Sequence, residues 1–188
     1  MIAIDIPIGL GERGPRACDV EARRRLGPRA SSVFPAPVRA ALAASTYAEA
    51  CGRSAAACGR RLSKQTYAIL GRIREVDAAL RAAPALRERV REAHPELCFA
   101  EWNGGRPMAH AKRTAAGLAE RRRLVDAAFD GGFDAVRGRF PRALVADDDI
   151  LDAFATLWTA GRVAAGVAHT VPAVPPRDAA GLPMQMVV

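Results

Sequence analysis

The sequence predicts an α/β protein with a small sheet and helices packed on it, and three observations carry that prediction. The run Ile2-Ala3-Ile4-Asp5-Ile6-Pro7-Ile8-Gly9 reads as an apolar strand that ends beside an acid and is then broken by proline and glycine. Only two later stretches, 96–102 and 184–188, read as strands, against six or seven segments with a helical pattern. The 188 residues, half of them apolar, suit a single domain over 1–188 with its own core.

The elements follow in order. The first strand spans 2–6 and closes at Pro7, and 9–15 is a loop. Its literal G-x-G-x-x-G lacks the setting of a dinucleotide fingerprint. Pro15 closes it, no long apolar helix opens at Gly11, and no second strand with a terminal acid follows. The ordinary reading is a backbone-exposing loop beside a site at Asp5. Asp19 is expected to cap a short helix to Leu26, which Gly27-Pro28 stops. Residues 31–37 form an extended connector, and 37–60 is alanine-rich and helical with a break at Ala44-Ser45. Ser63 N-caps a stronger helix to about Arg81, with Tyr67, Leu70 and Ile73 on one face.

Pro84 opens a further short helix, which ends before His94-Pro95 because a residue preceding proline avoids the helical region. Residues 96–102 are apolar enough for a buried strand, and Asn103-Gly104-Gly105 makes a turn. Thr114 starts a helix to about Phe129, and a short one spans 133–140. The cluster Asp147-Asp148-Asp149 opens the most apolar helix, from about Asp148 to Ala168. After the proline-rich connector at 171–176, 184–188 reads as a final strand. A strand as apolar as 2–6 at an open sheet edge templates aggregation, so a cover over it is expected.

Composition excludes several classes. The apolar stretches fall short of the roughly 18 to 20 residues of a membrane span. The N-terminus enters a strand with no basic leader, so no signal peptide is expected and the expected address is cytoplasmic. Cys18, Cys51, Cys58 and Cys98 form no C-x-x-C pair and read as reduced, buried apolar residues rather than a zinc or thiol site. The net charge of +8 permits nucleic-acid binding, but the basic residues are spread over nearly every segment. Lys64 and Lys112 are the only lysines among 28 basic residues, and in an arginine-rich chain a retained lysine reads either as a place where a compact ammonium suits a site better than a planar fork or as a leftover surface residue. Arg121-Arg122-Arg123 reads as a solvated helix face or as a phosphate-tracking one. Trp102 and Trp158 read as core.

Acids are the residues with chemistry to offer. Asp5 at the carboxyl end of a strand faces the crevice where open α/β folds place their sites, and carboxylates converging there bind divalent cations. Asp149 and Asp152, three apart on a helix, share a face. The bland alternatives stay open: Asp5 as a loop carboxylate accepting backbone hydrogen bonds, and Asp147 to Asp149 as acids favoured at any helix N-terminus.

Several peptides together resemble the predicted-nuclease family catalogued as domain of unknown function 429, which is assigned a ribonuclease H-like fold. They are Ile4-Asp5-Ile6-Pro7-Ile8-Gly9-Leu10, Arg16-Ala17-Cys18-Asp19, Ser32-Val33-Phe34 with Pro37, Leu62-Ser63 with Gln65, Glu75-Val76-Asp77, and His94-Pro95-Glu96 with Phe99. Lys112 with Thr114, Gly117 and Arg121, then Asp148-Asp149 with Asp152-Ala153, and Gly181-Leu182-Pro183 complete the set. The resemblance implies a three-layer ribonuclease H-like fold and a Mg²⁺- or Mn²⁺-dependent nuclease hydrolysing phosphodiester bonds. It implies Asp5, Asp149 and Asp152, with Asp148, as metal ligands, and Glu96 as ligand or water-positioning base. From its place before Pro95, His94 would either orient Glu96 or be a satisfied structural histidine, while Lys112, Arg121 and Lys64 would meet phosphate or substrate. Nucleic acid is the implied partner.

Members of the family normally begin with a glycine-rich strand bearing the first catalytic aspartate and two more strands before the Asp5-like peptide. This sequence starts at that peptide. The expectation is therefore a fold lacking its first three strands, inactive as it stands, with the missing strands or a second chain covering the edge of 2–6. Two other functions compete: a non-catalytic nucleic-acid- or partner-binding protein that retains the fold, and a metal-dependent hydrolase of a nucleotide or small phosphate ester.

Overall fold

In a computed structural model that describes residues 1–188, the N-terminal apolar run forms β1 (Ile2–Ile4), and its partner is a strand absent from the sequence reading. This partner, β2 (Val90–Glu92), runs parallel to β1 with Ile2 opposite Val90 and Ile4 opposite Glu92. The Ala93 N–H continues the ladder to the Ile4 carbonyl at 2.9 Å. The run Arg87-Glu88-Arg89-Val90-Arg91-Glu92 looks like a charged helix surface, and its first half is one, as α5 (Pro84–Arg89). Residues 90–92 leave the helical path because their backbone pairs with β1 and the Glu92 carboxylate is drawn inward to a buried arginine.

A parallel pair needs a long crossover, and here it is supplied by α1 (Ala17–Leu26), two 3₁₀ turns at 27–32 and 39–43, α2 (Tyr47–Cys58), α3 (Lys64–Ala68), α4 (Leu70–Ala82) and α5. Asp19 does not cap α1. The helix starts at Ala17, and Asp19 is buried within its first turn. The helical stretch expected over 37–60 resolves into the second 3₁₀ turn and α2. Thr46 caps α2 by accepting the Glu49 N–H at 3.2 Å, while Glu49 accepts the Ser45 N–H at 2.9 Å. Ser63 caps α3, accepting the Thr66 N–H at 3.0 Å, and the chain re-forms as α4 after Ile69.

The largest departure is α6 (Pro95–Trp102), expected as a strand. Its residues 95–100 are all buried, so the apolar run lacks the periodicity that marks a helix with one wet face. Pro95 fits the first helical position, where the missing N–H is no loss. Beyond it lie α7 (Ala115–Ala128), α8 (Gly132–Arg137) and α9 (Asp147–Ala164). The chain ends in a two-residue antiparallel ribbon, β3 (Thr170–Val171) with β4 (Met186–Val187). The molecule is thus mixed α/β, mostly helical, with very little sheet.

The core is built around α6. One side packs Phe99 against Val125 of α7 and Leu151 of α9, and the other packs Leu97 against Ala22 and Leu26 of α1 and the C-terminal Val188. Trp102 stacks on Trp158 of α9 with centroids 4.9 Å apart, so both indoles are committed to packing. A separate cluster, Val38, Cys51, Leu62 and Leu70, holds α2 to α4. Gly9, at φ +73°, lets the 7–10 loop pass under the C-terminal segment, where a Cβ would lie 2.8 Å from the Pro183 carbonyl. No helix is long and apolar enough to cross a membrane.

Candidate functional site

β1, β2 and the N-terminus of α6 end together, and the loops leaving them wall a cleft of about 260 Å³. Asp5 comes from the end of β1, Glu92 from β2, and His94 and Glu96 from the entry to α6. Lys112 comes from the loop before α7, Asp152 from α9, and Arg16 and Asp19 from α1.

Beneath the cleft lies a buried charge network centred on Arg16, only 4% exposed. Its guanidinium makes a two-pronged contact with Glu92, both prongs at 2.7 Å, and another with Asp19 at 2.6 and 3.2 Å. It also donates to the Ile8 and Gly9 carbonyls. Glu92 in turn accepts the Ile8 N–H at 2.6 Å, and Asp19 accepts the Ala36 N–H at 3.1 Å. Burial pushes the Glu92 carboxyl up, and Arg16 opposes it. Burial works against the charge of Arg16, yet Glu92 and Asp19 outweigh it and hold the guanidinium well above the ordinary arginine value. The network ties β2, α1 and the 7–10 and 32–37 loops to one point, which fixes the cleft walls.

A second buried pair holds Glu96. Arg121, fully buried on α7, donates to both its oxygens at 2.7 to 3.0 Å and also to the Gly117 carbonyl at 2.7 Å. Glu96 therefore borders the cleft from a helix rather than a strand, with its carboxylate already engaged. Arg121, expected on a solvated or phosphate-tracking face, is the anchor that engages it. Gly117 permits this arrangement, because a Cβ there would lie 1.9 Å from the Ala111 carbonyl oxygen.

Asp152, Lys112, His94 and Asp5 line the same cleft. The Lys112 ammonium lies 2.7 Å from Asp152 Oδ2 and 3.5 Å from Asp148 Oδ2, and Arg113 Nε reaches the latter at 3.3 Å. Burial pushes the Asp152 carboxyl up to about 6 against the pull of Lys112, with Asp5 and Glu96 adding to the rise. Its other oxygen, Oδ1, is buried without a hydrogen-bond partner. His94 Nε2 sits 3.2 Å from the Ser32 carbonyl, which can only accept. In its neutral form the ring would then carry its proton on Nε2 and leave Nδ1, which is buried and unpartnered, with a bare lone pair. Asp5 stands at the mouth, exposed, with no hydrogen bond or ion pair to its carboxylate, so the loop-anchor role is not the one it plays. Surrounding protein pushes its carboxyl up, against the pull of His94 and Lys112.

Helix geometry separates the acids of α9. Asp148 and Asp152, four apart, share the face that meets Lys112. Asp149 points away, exposed, and its Oδ2 accepts the Ala146 N–H at 3.2 Å as a helix-start contact. Asp149 is thus not brought to the cleft, and the i, i+3 pairing gives way to an i, i+4 one. Asp147 pairs with Arg137 at 2.7 Å. Lys64 lies exposed at the start of α3 and is not among the residues lining the cleft. Sequence reasoning missed Arg16 and Glu92 as site residues. They lie 76 positions apart, and no local pattern announces such a pair.

No three His, Cys, Asp or Glu side chains converge into a ready-made metal cage. Two carboxylates that line the cleft could serve a different kind of occupant. Mg²⁺ and Mn²⁺ prefer oxygen, and Mg²⁺ keeps several waters and is commonly held by one or two carboxylates plus substrate phosphate. Asp5, unengaged, and Asp152, with an unpartnered buried oxygen, are such carboxylates.

Residues 1–177 match the family described as "Protein of unknown function (DUF429)". No curated protein and no solved structure matches the chain.

Proposed function

We propose that the chain, which belongs to the DUF429 family, carries the cation-binding cleft of a Mg²⁺- or Mn²⁺-dependent phosphodiesterase of the ribonuclease H-like nuclease type. One observation carries the reading: Asp5 and Asp152 line one cleft with Lys112, whose ammonium pairs with Asp152 Oδ2, and the buried Asp152 Oδ1 has no partner of its own. Asp5 and Asp152 are the residues that would hold the cation. What a bound Mg²⁺ or Mn²⁺ supplies in such a site is a lowered pKa for water and charge neutralisation on a phosphoryl oxygen.

The protein's own groups do the rest. Lys112 carries three donors, with Asp152 and Asp148 in reach of two, which leaves one for a phosphate oxygen. The His94 Nδ1 lone pair accepts a proton from water or orients it at the cleft wall. The Arg16 network fixes the loops that wall the cleft around these groups. The parallel β1–β2 pair, with an acid just past the end of β1 and helices around it, supports the ribonuclease H-like assignment. β1 is paired on one side only, and Ile2 is 42% exposed, so its free edge is where further strands, of the same protein or of a second chain, would add.

Manganese dependence of binding a small phosphodiester tests the reading. With a fluorescent phosphorothioate dinucleotide, Mn²⁺ is expected to tighten binding at least tenfold over EDTA, a coupling of about 1.4 kcal/mol. Asp152→Asn is expected to remove that gain. Equal affinity in Mn²⁺ and EDTA would overturn the reading and favour a cleft in which Lys112 permanently stands where a cation would.

A further inference from the structure

The acid cleft has an electrostatic difficulty as a polynucleotide site. Its lining carries five carboxylates, Asp5, Asp19, Glu92, Glu96 and Asp152, against the cations Arg16 and Lys112. A phosphate chain is repelled there unless something nearby holds it. The segment 32–37 supplies the connection to such a place. Its Ser32, Val33 and Phe34 line the acid cleft, and the next residues, Pro35, Ala36 and Pro37, line a second pocket of about 360 Å³. On the other bank, Ile69 borders the first and Thr66 the second.

The second pocket has the opposite character. Its lining includes Arg60, Arg61, Ser63 and Thr66 and no carboxylate at all. In a chain where most arginines are paired or bonded to carbonyls, Arg60 and Arg61 are exposed and make no side-chain hydrogen bond or ion pair. The contact that closes this corner uses the Arg60 carbonyl instead, which accepts the Ser54 hydroxyl at 2.6 Å. Lys64, exposed and likewise unpaired, follows directly after Ser63. Free guanidinia in an acid-free hollow are suited to two-pronged contacts with phosphate oxygens.

We propose that the pocket around Arg60 and Arg61 is a phosphate-backbone site that anchors a polynucleotide strand whose next phosphates pass along 32–37 into the acid cleft. The inference rests on the cleft reading above and deepens it, because a small phosphate ester bound in the cleft would not reach this pocket. The backbone is gripped by charge and geometry rather than by base edges, so the anchoring is independent of sequence.

The test compares a 20-nucleotide single-stranded DNA with the phosphorothioate dinucleotide by fluorescence anisotropy in Mn²⁺, across salt concentrations. Arg60→Ala with Arg61→Ala is expected to weaken 20-mer binding at least tenfold at low salt. Losing two phosphate contacts is expected to flatten the dependence of log K on log salt by about 1.4, at roughly 0.7 per single-strand contact. The dinucleotide is expected to bind the variant as it binds the wild type. A 20-mer affinity and salt slope equal to wild type would overturn the proposal, as would an equal loss from Arg122→Ala with Arg123→Ala on α7. Loss of the dinucleotide's manganese dependence with the arginine effect intact would sink the cleft reading and leave the phosphate anchor standing.

Discussion

Replacing Arg121 by methionine should reveal how the floor of the cleft is held. The Arg121 side chain is 0% exposed and that of Glu96 6% exposed, and their three N–O contacts lie at 2.7, 2.8 and 3.0 Å. Methionine keeps much of the packing against Phe99, over whose ring the guanidinium sits at 5.6 Å. It leaves the Glu96 carboxylate buried without its partner. Breaking a buried pair from one side costs about 3 to 5 kcal/mol. For a domain of this size each kcal/mol is worth roughly 2 to 4 °C, so a fall in Tm of roughly 6 to 20 °C is expected. Adding Glu96→Leu removes the stranded charge and should recover at least about 2 kcal/mol, since replacing both ions by apolar groups is often near neutral. The assay is urea unfolding followed by far-ultraviolet circular dichroism for wild type, both singles and the double. An Arg121→Met loss below about 1 kcal/mol, or a double variant as unstable as the sum of the singles, would refute the claim that Glu96 is an anchored residue.

Three further outcomes follow from the same structure. Gly117→Ala should destabilise the fold by about 1 to 3 kcal/mol in thermal melts, although alanine is the better helix former, because its Cβ would meet the Ala111 carbonyl at 1.9 Å; a neutral or stabilising result would contradict the close approach. Burial lifts Asp152 from an ordinary 3.8 to about 6. The folded state then binds that proton more tightly than the unfolded, so in EDTA stability should fall as pH rises from about 4 to about 6 and level off above, by up to about 3 kcal/mol. Urea unfolding of wild type against Asp152→Asn isolates this component, and a slope of opposite sign would refute it. Burial also pushes the Cys98 thiol up to about 12 and raises Cys18 further, while Cys51 is buried and Cys58 partly exposed. A disulfide reagent at pH 8 should therefore label at most Cys58 in the native protein and all four thiols in urea; prompt native labelling of Cys98 would show the core to be open.

What was legible in the sequence was what local chemistry decides. The caps at Ser63 and Thr114, the strand ending beside Asp5, and the packing fate of Trp102 and Trp158 each rest on a residue and its near neighbours. What was not legible depended on distant partners. Residues 95–102 form a helix because α1, α7 and α9 bury it from several sides, and a helix wet on no face shows no period. Val90–Glu92 is a strand because β1 pairs with it and Arg16 draws Glu92 inward, neither of which is written in its own charge pattern. Of the α9 acids named from the sequence, Asp148 and Asp152 share the face of Lys112 and Asp149 does not. Spacings of three and four both place residues on one face, and only the position of Lys112 shows that the relevant face is that of Asp148 and Asp152. The DUF429 membership over 1–177 was legible from ordered peptides spread along the chain, each weak alone.

The most direct test of the account is calorimetric titration of the protein with Mn²⁺ at pH 7.5, for wild type and for Asp5→Asn, Asp152→Asn and Asp149→Asn. The first two change the cleft carboxylates, and the third changes an exposed acid on the same helix that faces away. The account predicts that Asp5→Asn and Asp152→Asn each weaken Mn²⁺ binding at least about tenfold, or roughly 1.4 kcal/mol, while Asp149→Asn binds as wild type does. Wild-type affinity in the two cleft variants, or an equal loss in Asp149→Asn, would contradict it.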